Sequence, residues 1–424
     1  MQISALQKEN QNMFKLSRKK PFPAPYLGTS ILGDEELSLL TEVIKTKLPF
    51  REYGDGTPHM VLDFEKEARR YLGVKYALAT ATGSGSFFCA MAGLGIGPGD
   101  EVIIPSFGWY TDFVAPVLAG AVPVFADIDR SLNMDLDDLA RKITPNTKAV
   151  IIVHFQGACI DMDRLLSIAQ KHQIKVIEDC AQSCGGTYKG RKLGSIGDVG
   201  CFSFQQNKVI STGDGGLLTT SDSKIFERAA RFHDLGILRP SMAAQLENGP
   251  SEPHIVGCQF RMNEFTGAVA LAQLRKLDSR ILNVTRSYFS ILKKRLQQNC
   301  PEIRFRPTGD DNGDCGILLC IDMGSRTKAE HLKLVLMDYG IPVQAPSACR
   351  NLITSDLVQG RQQANANMPP FGKGFAGEFI QYKPEMAPNT DEIVASMVVV
   401  PLTPAYDKQD VDDIGTAIIQ VWNS

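Results

Sequence analysis

One stretch, KVIEDCAQSCGGTYKGRKLGSIGDVGCFSFQQNKVISTGDGG (175–216), indicates the fold of this chain. It begins with a short apolar strand pattern that ends in two acidic residues, Glu178 and Asp179. Two β-rich runs follow closely, DVGCFSF (198–204) and GGLLTTS (215–221), with no helical pattern between them. We expect these two runs to pair as antiparallel neighbours at one side of a sheet.

The residues before this stretch alternate between strand and helix patterns. Strands are predicted at 75–80, 101–106, 122–128, 148–155 and 175–179, and helices at 86–94, 110–119, 135–143 and 161–172. Strands that alternate with helices are typical of an α/β fold with a mostly parallel sheet. The sequence therefore predicts a large α/β domain around such a sheet.

The pattern changes in the second half of the chain. Residues 263–299 predict one long helix, because their apolar residues recur at helical spacing. Shorter elements of α+β character follow, with strands at 303–306, 316–323 and 341–344, a helix at 327–339 and a Gly-, Gln- and Pro-rich loop at 360–385. We place a domain boundary near residue 280. The predicted organisation is an N-terminal arm (1–35), a large domain (36–280) and a smaller C-terminal α+β domain (281–424).

Composition excludes several classes of protein. The 424 residues carry 45 basic and 47 acidic side chains, so no overall charge favours nucleic acid or an anionic membrane. A small basic cluster in the arm (Lys15, Arg18, Lys19 and Lys20) is best explained as a solvated tail. The 10 cysteines are scattered without a C-x-x-C pair, which favours reduced core thiols over disulfides or a metal site. Neither a signal peptide nor a membrane span is indicated, so we expect a cytoplasmic protein. From the scattered cysteines we expect no bound metal.

A glycine-rich turn, TGSGSFF (82–88), follows the first predicted strand and opens a helix. Such a turn presents free N–H groups and the positive end of a helix to an anion, and a phosphate monoester would fit there. A tight turn with Ser84 or Ser86 as the N-cap is an equally good explanation. A dinucleotide site is not expected, because Phe88 replaces the third glycine of G-x-G-x-x-G.

Three segments together offer an anion cradle, the carboxylate Asp179 and the amine Lys208. Pyridoxal 5'-phosphate (PLP) requires this set of groups. Its phosphate needs donors, its pyridine nitrogen needs an anionic partner, and its aldehyde needs an amine for a Schiff base. Trp109 is a candidate aromatic face for the ring, although a core aromatic is also possible.

These residues resemble the DegT/DnrJ/EryC1/StrS sugar aminotransferases, PLP enzymes of the aspartate-aminotransferase fold type I. The resemblance runs from about residue 28 to 273, with a weaker echo at VVVPLTPAYDKQDVDDI (398–414). The stretches that carry it are GIGPGDEVIIPSF (95–107), AVPVFADID (121–129), ITPNTKAVIIVHFQG (143–157), VIEDCAQS (176–183), LGSIGDVGCFSFQQNK (193–208) and STGDGG (211–216).

The resemblance implies a role for each matching residue. Lys208 matches the Schiff-base lysine, which then shuttles the proton, and Asp179 matches the partner of the pyridinium nitrogen. The remaining matches are Gln182 near the 3-oxygen of the cofactor, Trp109 stacked on its ring, and Ser84, Gly85 and Ser203 at its phosphate. The lysine also separates aminotransferases from the sugar 3-dehydratases of the family, which have histidine there.

Two departures from the family pattern concern the phosphate and the glycine-rich turn. In GCQFRM (257–262), Gln259 stands where an asparagine of the partner subunit normally reaches the phosphate. Asp214 replaces the glutamate of G-E-G-G. The resemblance implies a homodimer with shared active sites. Arg51, Tyr53 and Arg261 are candidates for the substrate side, although a structural or interface role is favoured for each.

The resemblance thus predicts an aminotransferase. We expect it to move an amino group from glutamate or glutamine to a keto-sugar, nucleotide-linked or free, or to a keto-cyclitol. The pair Gln205-Gln206 resembles aminocyclitol aminotransferases, which often use glutamine. A PLP-dependent sugar dehydratase or lyase, or a non-catalytic regulatory protein of the same fold, are the alternatives.

Overall fold

The computed structural model describes residues 20–51, 59–344 and 350–423. Its strands, numbered in chain order, are β1 (Tyr76–Thr80), β2 (Glu101–Pro105), β3 (Phe107–Gly108), β4 (Val122–Ala126), β5 (Thr147–Val153), β6 (Lys175–Asp179), β7 (Thr187–Tyr188), β8 (Arg191–Lys192), β9 (Val199–Ser203), β10 (Gly216–Thr220), β11 (Arg304–Phe305), β12 (Leu318–Asp322), β13 (Arg350–Asn351) and β14 (Met397–Pro401).

The helices are α1 (Asp34–Thr46), α2 (Met60–Leu72), α3 (Gly83–Leu94), α4 (Tyr110–Ala119), α5 (Leu136–Lys142), α6 (Met162–His172), α7 (Ser223–His233), α8 (Pro240–Ala243), α9 (Glu264–Lys276), α10 (Asn283–Asn299), α11 (Arg326–Asp338), α12 (Asp356–Gly360), α13 (Thr390–Ser396) and α14 (Lys408–Trp422). Short 3₁₀ helices occur at Gly28–Ile31, Phe155–Gly157, Leu352–Thr354 and Pro384–Met386.

A seven-stranded sheet in the order β1-β10-β9-β6-β5-β2-β4 forms the centre of the described structure. The pairs β2–β4, β2–β5, β5–β6 and β6–β9 are parallel, whereas β10 runs antiparallel to both of its neighbours, β1 and β9. The predicted α/β class with a mostly parallel sheet is confirmed. The predicted antiparallel pairing of the runs at 198–204 and 215–221 is confirmed as well.

The central sheet is buried on both faces. Alternate residues of β5 enter two separate cores, Val150 and Ile152 on one side and Ile151 on the other. Strands buried on both faces read as continuous apolar runs, which is why β5 shows no alternation in the sequence. Because β1, β6 and β9 run in the same direction, their carboxyl ends meet at one edge of the sheet, where Asp179 and Ser203 end their strands.

A second sheet of three antiparallel strands, β11-β12-β14, lies in the C-terminal part. Leu319 and Ile321 pack into a core of their own, together with Leu292 of α10. The predicted strand at 341–344 is wrong: among these residues only Gln344 makes an isolated bridge, to Val399. Pro342 lacks the N–H that a ladder needs, and β14 provides the third strand instead.

The predicted long helix is continuous from Glu264 to Asn299, but a π-helical segment, Leu277–Leu282, separates α9 from α10. The predicted domain boundary near 280 falls within this segment. The division into an arm and two domains stays a prediction.

The described part of the predicted N-terminal arm packs against the rest of the chain. Leu27 is buried, the Gly28 amide donates to the Lys208 carbonyl at 3.3 Å, and Lys20 pairs with Asp407 at 2.6 Å. Helix α1 then begins at Asp34. The rest of the basic cluster, Lys15 to Lys19, lies outside the described residues.

The nine cysteines in the described ranges are free, and eight of them are buried. The tenth, Cys349, lies outside these ranges. No helix in the described part of the chain is both long and apolar enough to cross a bilayer.

Candidate active site

The predicted anion cradle lies at the N-terminus of α3, next to the end of β9. Thr82 caps this helix by accepting the Gly85 amide at 3.0 Å, so neither Ser84 nor Ser86 is the N-cap. The Ser84 hydroxyl lies 3.0 Å from that of Thr111. The first N–H groups of a helix have no acceptor within it, so the amides of residues 83 and 84 are available to an anion.

Gly83 explains how this helix end and Ser203 come together. A Cβ at residue 83 would lie 2.6 Å from the Ser203 Cβ and 2.8 Å from its Oγ, closer than such atoms approach. Glycine is therefore required by the contact itself. Ser84 and Gly85 therefore lie in the first turn of the helix that approaches Ser203, and the Gly85 amide is already engaged by Thr82.

Asp179 ends β6 and is 3% exposed. Its Oδ1 accepts the Ala181 amide at 2.8 Å. Burial raises the pKa of this carboxyl group, although the Ala181 amide and the charges of Lys208 and His154 act in the opposite direction. A buried carboxylate at the carboxyl end of a parallel strand is suited to pair with a ligand cation.

Lys208 lies half-buried in the loop between β9 and β10. Its amide donates to the Gln205 carbonyl at 2.9 Å, and its own carbonyl accepts the Gly28 amide. The charge of Lys208 acts on the carboxyl groups of both Asp179 and Asp112. Because β9 is the parallel neighbour of β6, the predicted lysine and carboxylate form a cluster at one edge of the sheet.

Asp112 is a member of this cluster that sequence reasoning missed. It lies in the first turn of α4 and is completely buried, and its Oδ2 accepts the Trp109 amide at 3.3 Å. Burial raises the pKa of Asp112 well above its ordinary value, and the adjacent charge of Asp179 adds to this shift. An acidic residue within the apolar run YTDFVAPVLA (110–119) was the signal that could have identified it.

Glu178, the other acid of the pair, faces a different set of partners. Its Oε1 accepts the amides of Ile196 and Gly197, both at 2.7 Å. Its Oε2 accepts the Gly194 amide at 2.9 Å and contacts His154 Nε2 at 3.0 Å. Glu178 therefore holds the 194–197 turn in place and is not directed at a ligand.

The remaining predicted cofactor residues are placed as follows. Trp109 is 51% exposed at the start of α4, so its ring surface is accessible. Gln182 lies half-buried in the turn after β6. Gln259 is exposed and bridges to Asp234 in an extended segment whose Phe260 would contact a Cβ at Gly85.

The three substrate-side candidates differ in their surroundings. Arg51 is 1% exposed and pairs with Glu65 at 2.9 Å, which is a structural arrangement. Arg261 forms an ion pair with Asp234 and lies over the Phe50 ring at 5.0 Å. Tyr53 lies outside the described residues.

Residues 32–353 match the model of the DegT/DnrJ/EryC1/StrS aminotransferase family. The chain belongs to this family, which confirms the resemblance inferred from the motifs.

Named relatives match about half of the chain. Over 225 residues, 52% of this chain and 58% of the relative, the chain is 39% identical to GDP-perosamine synthase of Caulobacter vibrioides. It is 38% identical over 222 residues to L-glutamine:2-deoxy-scyllo-inosose aminotransferase of Streptoalloteichus tenebrarius, covering 51% of each. The chain spans about half the length of both curated relatives.

Solved structures resemble nearly the whole chain. A 3-amino-5-hydroxybenzoic acid synthase superposes with a TM-score of 0.76 at 26% identity, over 95% of this chain and 99% of that one. An aminotransferase from Psychrobacter cryohalolentis superposes with a TM-score of 0.74 at 23% identity, over 94% and 97%. The likeness confirms the predicted fold, the type I fold of PLP-dependent transferases.

Proposed function

We propose that this chain is a PLP-dependent aminotransferase. One observation carries the proposal: buried Asp179 ends β6 and half-buried Lys208 follows its parallel neighbour β9, at the edge of the sheet where Ser203 meets the N-terminus of α3. A carboxylate, an amine and an anion cradle are the partners that the ring nitrogen, aldehyde and phosphate of PLP require.

The residues present fit this cofactor. The contact between Gly83 and Ser203 leaves no room for a side chain at residue 83, so hydroxyl and amide donors converge without an obstructing Cβ. Asp179 is buried, so its charge acts in a medium of low dielectric. The exposed face of Trp109 offers a surface for an aromatic ring.

When bound, PLP accepts the amino group of the donor and withdraws electrons from the substrate carbon. Asp179 would keep the pyridine nitrogen protonated by Coulombic attraction. Lys208 would hold the aldehyde carbon between turnovers. After the substrate displaces it, the lysine amine would move the proton between the substrate Cα and C4' of the cofactor.

For the substrates, we propose glutamate or glutamine as donor and a keto-sugar or keto-cyclitol as acceptor, in amino-sugar or related glycan or antibiotic biosynthesis. The names of the relatives support this range, since one is a GDP-perosamine synthase and another an L-glutamine-dependent aminotransferase of a cyclitol. The free cysteines of the described residues are compatible with a cytoplasmic enzyme.

We also propose a homodimer with shared active sites. Gln259 is exposed in its own subunit, so it is free to extend toward a partner. Nearby Val256 is 94% exposed, and Leu235 and Ile237 are exposed as well. Clustered exposed apolar side chains are typical of subunit interfaces, and a sedimentation measurement that gives the monomer mass would contradict this.

Absorption spectroscopy tests the activity. We expect added PLP to give the wild-type protein the long-wavelength band of a lysine-bound cofactor, and glutamate or glutamine to bleach this band. Lys208→Ala should lack the band. Lys189→Ala is the matched control, because Lys189 is an exposed lysine whose amine pairs with Asp163.

The other outcomes distinguish the alternatives. A band that no amino acid bleaches, with loss of water from a keto-sugar, would indicate the dehydratase or lyase. A wild-type protein without any band would refute the enzyme and favour a regulatory protein of the same fold.

A further inference from the structure

Asp112 and Asp179 are two buried acids on elements far apart in the sequence. Asp112 is in the first turn of α4 and Asp179 ends β6, and both are buried. A Cβ built at Gly108 would lie 2.7 Å from Asp112 Oδ2 and 3.7 Å from the Val153 side chain, and Val153 is the β5 residue paired with Asp179 on β6. The two acids are therefore neighbours, and each acts on the pKa of the other. Two ionised carboxylates held this close repel each other, so one of them favours a proton.

The hydrogen bonds around each acid indicate which one carries the proton. Asp179 has the Ala181 amide on Oδ1 at 2.8 Å, which favours its ionised form, whereas the charge of Lys208 acts on both acids. Asp112 has only a longer bond on Oδ2, from the Trp109 amide at 3.3 Å.

The second oxygen of Asp112, Oδ1, is buried and accepts no hydrogen bond from the described residues. A carboxylate oxygen left in that state costs free energy. A proton on Asp112 removes the charge and turns the contact with Asp179 into a hydrogen bond.

We propose that Asp112 is a positioning residue that stays protonated and donates a hydrogen bond to Asp179. It thereby fixes the orientation and the negative charge of the carboxylate that is to pair with the cofactor nitrogen. The effect of this hydrogen bond on cofactor binding rests on the proposed function, whereas the protonation of Asp112 does not depend on it.

The first experiment measures the proton without the cofactor. Asp112→Asn keeps a donor in place of the acid but cannot ionise. A proton held more tightly in the folded state stabilises the protein fully in acid and less as pH rises through the raised pKa. We therefore expect the thermal midpoint of the wild-type apoprotein to fall relative to that of Asp112→Asn as pH rises from 4 to 8.

The groups that face Asp112 are the same in both proteins. They are Asp179 on β6, Lys208 in the loop after β9 and Cys201 on β9, with His154 acting on Asp179. Because only Asp112 is changed, the difference between the two midpoints follows its own ionisation and its effect on Asp179. A midpoint difference that is flat or has the opposite slope would mean that Asp112 is ionised in this pH range, and would overturn the proposal.

The second experiment measures the dissociation constant of PLP from the apoprotein. Asp112→Asn should bind PLP within about twofold of the wild type, whereas Asp112→Ala should bind about 10-fold or more weakly, because a hydrogen bond to a charged group is lost. In an Asp179→Asn background the same Asp112→Ala change should have little further effect.

The outcomes separate this proposal from the proposed function. If Asp112→Asn loses as much affinity as Asp112→Ala, or if Asp112→Ala is equally harmful without Asp179, the residue does not act through Asp179. If the wild type binds no PLP, the proposed function fails, whereas the midpoint experiment still shows whether Asp112 is protonated. If Asp112→Ala does not fold, the Asn variant and the midpoint slope decide the question.

Discussion

Replacing Glu178 by glutamine should strongly destabilise the protein, although the two side chains have nearly the same size. Glu178 is completely buried and accepts four hydrogen bonds, three from backbone amides and one from His154. A glutamine side chain has only one acceptor oxygen. Its NH₂ group must therefore face either the amides of Ile196 and Gly197 or the pair formed by Gly194 and His154.

The magnitude follows from the number of bonds lost. Two donors lose an ionised acceptor, at about 1.5–3 kcal/mol each, so the free energy of unfolding should fall by roughly 3–6 kcal/mol. This is a large part of the roughly 5–15 kcal/mol of a typical protein. Urea unfolding of the apoprotein measures it as a lower midpoint at an unchanged slope.

The effect should also depend on pH. Burial alone would raise the pKa of Glu178, but the hydrogen bonds from His154 and the amides hold it below the ordinary value of 4.5. A lowered pKa gives stability that is present above the ordinary value and is lost as pH falls through the lowered one. The difference between wild type and Glu178→Gln should therefore shrink in acid.

A matched control is Asp137→Asn, which removes an exposed carboxylate paired with Arg164. Exposed ion pairs contribute little, so its unfolding free energy should change by less than about 1 kcal/mol. A Glu178→Gln variant as stable as this control at neutral pH would refute the network described for Glu178.

Two further perturbations test other parts of the structure. Gly28→Ala would place a Cβ 2.5 Å from the amide nitrogen of Ser211, and the Gly28 amide donates to the Lys208 carbonyl. We therefore expect this variant to have a lower thermal midpoint and weaker PLP binding. The control Gly360→Ala, which has nothing within 4 Å of its Cβ, should change neither. Burial lowers the pKa of His233 from 6.5 to about 3, so this residue stabilises the protein above pH 6.5 and loses that contribution as pH falls toward 3. Between these two pH values, the free energy of unfolding of the wild type should fall by up to about 1.4 kcal/mol per pH unit relative to that of His233→Leu. A difference between the two free energies that stays constant from pH 7 to 4 would contradict this.

Much of the central sheet is predictable from local pattern. Strand β6 occupies the predicted residues 175–179, and β1, β2, β4 and β5 each end within two residues of the prediction, because buried parallel strands carry continuous apolar runs between helical patterns. The failure at 341–344 has a local cause as well. Its apolar residues satisfied the pattern, but Pro342 has no N–H to donate, and among residues 341–344 only Gln344 bridges to β14.

The site residues divide in the same way. Asp179 and Lys208 were found because their positions after strands, with a glycine-rich turn, suit a known chemistry. Their roles stay predictions until the experiments above are done. Asp112 was missed, because an acid among apolar residues gains its meaning only from Asp179, the neighbouring acid 67 positions further along the chain.

By itself, the sequence determined the order of strands and helices, the parallel sheet and the residue types gathered at its carboxyl edge, because these depend on local periodicity and on motifs. The family resemblance singled out Asp179, but only the tertiary structure showed what Glu178 and Asp179 each contact. Neighbouring side chains of a strand point to opposite faces, so Glu178 meets the 194–197 turn while Asp179 meets Asp112 and Lys208. Which face is which depends on how distant segments pack, and that information is absent from any local pattern.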